Sequence, residues 1–204
     1  MRPSFTGTTR QGTSLIEALV GASLILLVAL CLALIFRSAV RFVLEANERL
    51  DIQQSALLAV ANLSREMSEG TTGSFEVYAN PPGVVFGSAR DPSGAFHLSP
   101  GGELVWQKMI CYYIVNVKGV QCLARKELVL PPGQQTSNPV QPGSTYSTTV
   151  FANDPGPPRV VGRKIKELTV TPGAQIQVHL VAETNASPER NFWIEVDTTV
   201  SMRN

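Results

Sequence analysis

The first residue in this sequence that could do chemistry is an acid at the start of a long apolar segment. Glu17 precedes the run from Ala18 to Phe36, and the next charged residue is Arg37. The run has 19 residues. As a helix it spans about 28 Å, close to the thickness of a hydrocarbon core. An acid in a bilayer costs about 2.5–3.5 kcal/mol on insertion scales, so it is normally paired or functional.

The residues around this acid resemble a known processing signal. Gly12-Thr13-Ser14-Leu15-Ile16-Glu17 is similar to the prepilin peptidase site of type IV pilins and type II secretion pseudopilins. Gly12 matches the residue before the cut, and Glu17 matches the glutamate at the fifth position of the mature chain. The polar leader, residues 1–12, has two arginines as its only charges. Thr13 departs from the family, which usually has Phe at this place.

The resemblance implies a route of maturation and a set of partners. A prepilin peptidase would cut between Gly12 and Thr13, and the new amino group of Thr13 would be N-methylated. The subunit would be stored in the bacterial inner membrane as a single-pass protein with a periplasmic head, and would then join a pilus or pseudopilus. The implied partners are the prepilin peptidase, other major and minor pilins or pseudopilins, the inner-membrane assembly platform and the lipid bilayer.

The amine made by the cut is a candidate partner for the acid. In a filament it can meet the Glu17 carboxylate of a neighbouring subunit in a low-dielectric environment, where both charges would otherwise be costly. This pair is expected to set the axial register, while apolar helix packing supplies most of the association. Gly21, Ala22 and Ser23 allow helices to approach closely, although small residues are more often simply tolerated.

Two other interpretations of the apolar segment fit less well. A cleaved secretory signal has a shorter apolar core followed by a small-residue site, which residues 36–40 match poorly. An ordinary signal anchor explains the length of the segment and its basic side, but it does not explain Glu17. The alternative function is therefore a single-pass anchored β-domain that acts as a sensor or a binding module.

Composition and motifs limit the remaining classes. The 204 residues allow one modest domain besides the helix. Lys and Arg total 17 against 16 Asp and Glu, and loss of the two leader arginines leaves 15 against 16. A near-neutral chain has no general attraction for nucleic acid, so no such partner is supported. One basic cluster is more consistent with a solvated strand face: Arg159, Arg163, Lys164 and Lys166.

No catalytic, cofactor-binding or metal-binding motif is recognisable in the sequence. His97 and His179 are the only histidines, and neither belongs to a nucleophile or metal motif. Residues 91–94 lack the elbow sequence of an α/β-hydrolase. We interpret them, and Asn153-Asp154-Pro155-Gly156, as turns, with a Ca²⁺ loop as the alternative. The sequence therefore predicts a protein that is not an enzyme and has no cofactor.

The cysteines leave one pairing open. Cys31 lies in the apolar run and is interpreted as a small apolar filler. Cys111 and Cys122 lie on two predicted strands that meet near Lys118-Gly119. A two-residue turn there would place Cys111 opposite Lys126, so a disulfide needs a longer loop or another register. A periplasmic location would permit the bond, and the alternative is two free thiols.

The apolar segment continues into a predicted amphipathic helix, since no Pro or Gly occurs between Arg37 and Gly70. One apolar stripe comprises Val43, Ala46, Leu50, Leu57, Val60 and Met67, and a second comprises Ile52, Ala56, Ala59 and Leu63. The charged residues between them are expected to face solvent: Glu45, Glu48, Arg49, Asp51, Arg65, Glu66 and Glu69. A single helix from Leu15 to Glu69 would be about 80 Å long. The alternative is an anchor followed by an independent helix.

The fold class predicted is α+β, with a spine helix packed on an antiparallel sheet. Residues 13–36 form its transmembrane half, 37–70 its amphipathic half and 71–204 a β-rich head. The predicted strands are Phe75–Ala79, Val84–Gly87, Glu103–Val117, Val120–Leu130, Arg159–Thr171, Gln175–Glu183 and Asn191–Met202. A long loop is predicted over Pro131–Ser147. Trp106 and Trp193 are predicted to be core anchors.

Short segments of the helix and the head add to the resemblance. Arg65-Glu66-Met67 ends the helix, Tyr112-Tyr113 precedes a return strand with Leu123-Ala124-Arg125, and the chain closes on Arg203-Asn204. These segments are similar to those of larger minor subunits, the W-type minor pilin and J-type minor pseudopilin group. The residues do not separate pilus biogenesis with twitching or DNA uptake from protein secretion.

Overall fold

One long helix precedes a β-rich head. A computed structural model describes residues 14–91, 93–187 and 190–202, with the side chains of 185–187, 190 and 191 outside the description. Helix α1, Leu15–Glu69, runs unbroken over 55 residues, which confirms the single-helix prediction. The chain divides into two compact units, one up to Ala46 and one from Asn47 onward. Within the described residues, the first unit consists of the apolar part of α1.

The second unit contains two antiparallel sheets. The strands are β1 (Phe75–Ala79), β2 (Pro82–Ser88), β3 (Lys108–Val117), β4 (Val120–Val129), β5 (Arg159–Arg163), β6 (Ile165–Thr171), β7 (Ile176–Ser187) and β8 (Arg190–Val200). Short 3₁₀ turns occupy Thr72–Ser74 and Pro132–Gln134, and helix α2 spans Thr148–Asn153. One sheet has the order β1-β2-β3-β4-β5 and the other β6-β7-β8, with antiparallel ladders throughout.

Side chains on the five-stranded sheet alternate between two cores, as the period of two in a strand requires. Val84, Phe86 and Tyr112 face the α1 stripe and the inner face of the three-stranded sheet. Val85 and Tyr113 face the opposite way, into a second core closed by the loop segments and α2. The sheet is therefore buried on both sides, and α1 packs on one of them.

The helix buries mainly the second of its two predicted stripes. The buried residues are Ile52, Ala56, Ala59, Val60, Leu63 and Met67. Leu50 and Leu57 belong to the first stripe and remain exposed. Only one side of the helix contacts the head. The predicted apolar face is broader than this side, so part of it stays exposed.

Several predicted strand boundaries were wrong. The predicted strand Arg159–Thr171 is broken at Lys164, whose φ of 60° turns the chain from β5 in one sheet to β6 in the other. The strand predicted from Glu103 begins only at Lys108. The backbone N–H of Trp106 donates instead to the Thr136 carbonyl at 3.0 Å. This bond lies outside the ladders, and Trp106 belongs to the second core rather than to β3.

One expectation about a single residue was wrong, and one element was not predicted. Trp106 is buried as predicted, but Trp193 is 65% exposed because it points to the outer face of the three-stranded sheet. Helix α2, unlike the loop before it, was not predicted. Its six residues are too few for a periodic pattern to be read from the sequence.

The hairpin of β3 and β4 also determines whether Cys111 and Cys122 can pair. The Lys118-Gly119 turn places Cys111 opposite Lys126 and Cys122 opposite Val115, and all three cysteines are free. The register therefore does not form the Cys111–Cys122 disulfide that the sequence left open. Burial raises the pKa of the Cys111 thiol, and the Lys126 ammonium offsets this only in part.

Candidate functional site

The first candidate surface is the apolar part of α1. The most apolar window of this helix has a mean hydropathy of 3.0 and buries none of its residues within the protein. Such a helix is compatible with a single-pass membrane anchor. The backbone N–H groups of Glu17 and Ala18 both donate to the Ser14 carbonyl, at 2.9 and 3.1 Å, so Glu17 lies in the first turn. Gly12 and Thr13, the predicted processing residues, lie outside the described residues.

Small residues also lie on this apolar part. A Cβ added at Gly21 would meet no atom within 4 Å, so this glycine is not required by any contact within the described protein. Cys31 is exposed on the same helix. Close contact of these positions with a second helix, in the membrane or in a filament, remains a prediction.

The second part of α1 is tied to the head by a half-buried polar cluster. Arg125 on β4 donates through Nε to both Glu66 carboxylate oxygens, at 2.8 and 3.1 Å, and through Nη2 to Glu127 at 3.0 Å. The Tyr112 hydroxyl on β3 donates to the same Glu66 carboxylate at 2.9 Å. Side-chain exposure is only 14% for Arg125 and 16% for Glu66. We call Glu66, Tyr112 and Arg125 the helix–sheet triad.

The triad changes the electrostatics of its members. Although burial lowers the pKa of the Arg125 guanidinium, the hydrogen bonds and charge of Glu66, with smaller contributions from Tyr112 and Glu127, together outweigh burial and raise that pKa overall. Burial, together with the Glu66 charge, raises the pKa of the Tyr112 hydroxyl. Arg125 is thus charged and Tyr112 neutral at neutral pH, and the hydrogen bonds from Arg125 in the triad are charge-assisted.

Two more ties hold the same helix. At its end, Glu69 receives two hydrogen bonds from Arg90, at 2.6 and 2.7 Å. Nearer its start, Glu48 accepts from Lys164 and from the Thr184 hydroxyl, both at 3.0 Å. The Lys164 hydrogen bond lowers the pKa of the Glu48 carboxyl. Glu48, Glu66 and Glu69 therefore anchor the helix.

The sequence reading missed these anchors because it assigned all three acids to a solvated face. A helical pattern distinguishes polar from apolar positions, but it does not say which polar residues meet a partner. One signal was available for Glu66. The Arg65-Glu66, Tyr112-Tyr113 and Leu123-Ala124-Arg125 segments that carry the resemblance supply all three members of the triad.

Three leucines stay exposed on this helix, among exposed polar residues such as Gln54 and Arg65. Leu50, Leu57 and Leu58 are 53%, 50% and 61% exposed. At 100° per residue, Leu50 and Leu58 lie on the side away from the buried stripe and Leu57 lies at its flank. Exposed leucines at this spacing favour contact with another helix.

The acids of the two predicted turns are bonded within the protein. Among the described residues no group of three or more His, Cys, Asp or Glu could hold a metal ion. The Asp91 carboxylate accepts from the Ser93 hydroxyl and the Ala95 N–H, at 2.6 and 3.1 Å. The Asp154 carboxylate pairs with Lys126 at 2.8 Å. Both acids are thus used within turns, as the turn interpretation predicts.

The His179–Asp197 pair gives a pH prediction. Their side chains meet at 2.7 Å on the outer face of the three-stranded sheet. The hydrogen bond to Asp197 raises the pKa of His179, with smaller contributions from Glu195 and Glu167. Since the folded pKa exceeds the unfolded one, the pair stabilises the fold below the unfolded pKa, and this contribution is lost as pH rises through the folded pKa. Both groups are too exposed for a large effect.

We expect Asp197→Asn to lower the pKa of His179 toward the ordinary histidine value. The measurement is an NMR titration of the histidine ring protons, with the His97 signal as the internal reference. An unchanged His179 pKa in the variant would show that Asp197 does not raise the pKa of this histidine.

Comparison of the chain with protein-family models, curated proteins and solved structures finds no match. The general architecture is nevertheless clear. A long N-terminal apolar helix is packed through its second part on an antiparallel sheet, which is the general pilin-like arrangement.

Proposed function

We propose that this chain is a minor type IV pilin or a minor pseudopilin, a structural subunit rather than an enzyme. A prepilin peptidase would cut it after Gly12, and Thr13 would be N-methylated. The processed subunit would then join or initiate a pilus or a type II secretion pseudopilus. The observation that carries the proposal is Glu17, a single carboxylate in the first turn of an exposed apolar helix.

The structure of α1 supports this proposal in two ways. Its apolar part buries no residue of the most apolar window within the protein, so its apolar surface is available to lipid before assembly and to other helices afterward. Further along, Leu50, Leu57 and Leu58 stay exposed while another side of the helix is clamped by the helix–sheet triad. A rigid helix with exposed apolar side chains is what packing into a helical filament requires.

The alternative is an anchored β-domain that binds a ligand or acts as a sensor. It explains the apolar helix and the head, but it gives Glu17 no role and no reason for exposed leucines beyond the membrane segment. Cleavage discriminates between the two functions, because only a pilin-type subunit requires the peptidase. The N-terminus of the mature protein therefore tests the proposal.

A further inference from the structure

The three-stranded sheet ends in a strand with no neighbour on its outer side. β8 pairs with β7, and among the described residues no other strand follows it. Residues 192–199 are all at least partly exposed, whereas β7 buries Val178, Leu180 and Ala182. An edge strand of this kind presents a row of backbone N–H and C=O groups without ladder partners.

Contacts outside the ladders touch each of the other three sheet edges. Beside β1, the Tyr78 hydroxyl donates to the Gly143 carbonyl at 2.6 Å, and the Gly143 N–H donates to Glu76 at 2.8 Å. On β5, the Ser55 hydroxyl of α1 bonds to both the N–H and the C=O of Arg163, at 2.7 and 3.2 Å. β6 lies against the five-stranded sheet. β8 has one such contact near its start, where the Arg49 guanidinium of α1 lies 3.8 Å from the centroid of the Phe192 ring. Among the described residues, no hydrogen bond from outside the sheet reaches the backbone of residues 193–199.

β8 lacks several of the features that protect natural edge strands from pairing. Natural edge strands are often blunted by Lys, by Pro or by short length. β8 has 11 residues, none of them Lys or Pro. It is rich in the β-branched and aromatic residues that favour strands. The exposed Trp193 adds a large apolar surface on the outer face of the sheet.

The charge on this edge selects the partner. Glu195 and Asp197 lie on the outer face together with Trp193. Asp197 meets His179 there, and Glu183 of β7 is paired with Lys166. Two β8 strands paired antiparallel about Val196 would place acid opposite acid twice, and like charges directly opposite destabilise a sheet. A second copy of this edge is therefore a poor partner, whereas a basic strand is a good one.

We propose that β8 is a docking edge for an extended segment of a partner protein that carries Lys or Arg at alternate positions. The segment adds as a fourth strand, so the backbone supplies affinity and the alternate side chains supply specificity. Its basic side chains lie beside Glu195 and Asp197, and its apolar groups contact Trp193. This inference does not depend on the filament proposal, because edge pairing needs neither cleavage nor helix assembly.

The test uses the full chain in nanodiscs of neutral phosphatidylcholine. The probe is a fluorescent peptide of the same length as β8 in which lysine and threonine alternate, and binding is followed by fluorescence anisotropy. One comparison peptide has glutamate in place of lysine. Another has every backbone amide N-methylated and cannot donate a hydrogen bond to a strand edge. We expect both to bind at least about tenfold more weakly than the lysine peptide.

Charge reversal of the edge should reverse the preference. In Glu195→Lys/Asp197→Lys the lysine peptide should lose about tenfold or more in affinity, and the glutamate peptide should gain. Asp51→Lys/Glu103→Lys makes the same change of charge at exposed positions outside the three-stranded sheet, so it should bind like the parent protein. In the neutral variant Glu195→Gln/Asp197→Asn, the affinity for the lysine peptide should lie between that of the parent protein and that of the charge-reversed variant.

Two results would overturn the proposal. If the N-methylated peptide binds as tightly as the unmodified one, the attraction is electrostatic and no strand is added. If the parent and the reversed edge bind the lysine peptide equally, β8 is not the site.

Discussion

Glu17→Ala is expected to leave the protein in the membrane while removing it from filaments. Insertion should be kept, because an alanine in place of an acid makes the segment easier to insert. Assembly should fail because the Thr13 amine of a neighbouring subunit would lose its partner in a low-dielectric site. Breaking a buried ion pair costs about 3–5 kcal/mol, which corresponds to a fall of about 100-fold or more in incorporation. The measurement compares sheared filaments with membranes by quantitative immunoblotting.

The matched control is Glu45→Ala, the same substitution on the same helix but beyond the apolar run. It should enter filaments at the parent level. Glu17→Asp keeps the charge on a shorter side chain and should retain part of the incorporation. Parent-level incorporation of Glu17→Ala would contradict the register role of this acid.

Glu66→Ala is expected to lower the free energy of unfolding of the head by about 3 kcal/mol. The change leaves Arg125 half-buried with only Glu127 as an ionic partner and removes the acceptor of the Tyr112 hydroxyl. Because the triad joins α1 to β3 and β4, its loss loosens the helix from the sheet. The measurement is chemical denaturation of the full chain in mild detergent, followed by tryptophan fluorescence.

Three further variants separate the contributions. Tyr112→Phe removes only one hydrogen bond and should cost about 1 kcal/mol. Glu45→Ala should have little effect, since it changes the charge of α1 without touching the triad. Glu66→Ala combined with Arg125→Ala should cost less than the sum of the single changes, because neither charge is left alone. A cost below about 1 kcal/mol for Glu66→Ala would show that the triad is not the main tie.

The parts of this fold that depend on local patterns could be predicted from the sequence. The apolar run and the absence of Pro and Gly between Arg37 and Gly70 are sufficient to predict the helix Leu15–Glu69. The hairpin of β3 and β4 follows from β-prone runs on both sides of Lys118-Gly119. Its register is the one expected for a two-residue turn, with Cys111 opposite Lys126, although the sequence left another register open. In both cases neighbouring residues decide the outcome.

The parts that depend on distant contacts could not be predicted. No neighbouring residue marks Lys164 as the point where the chain changes sheets. The contact that Lys164 makes there, the ion pair with Glu48, is with a residue far away in the sequence. Trp193 resembles a core residue in composition, but the order of the strands places it at an open edge. The anchoring acids of α1 look like solvated residues until the head supplies their partners.

The central claim is that the chain is processed as a pilin-type subunit. The most direct test is the intact mass and N-terminal sequence of the protein from membranes of cells with and without an active prepilin peptidase. Gly12→Val in peptidase-positive cells serves as the matched control for the cleavage site. We predict a chain that begins at N-methylated Thr13 only when both the peptidase and Gly12 are present. A chain that begins at Met1 in all three samples would contradict the account and would favour an anchored binding domain.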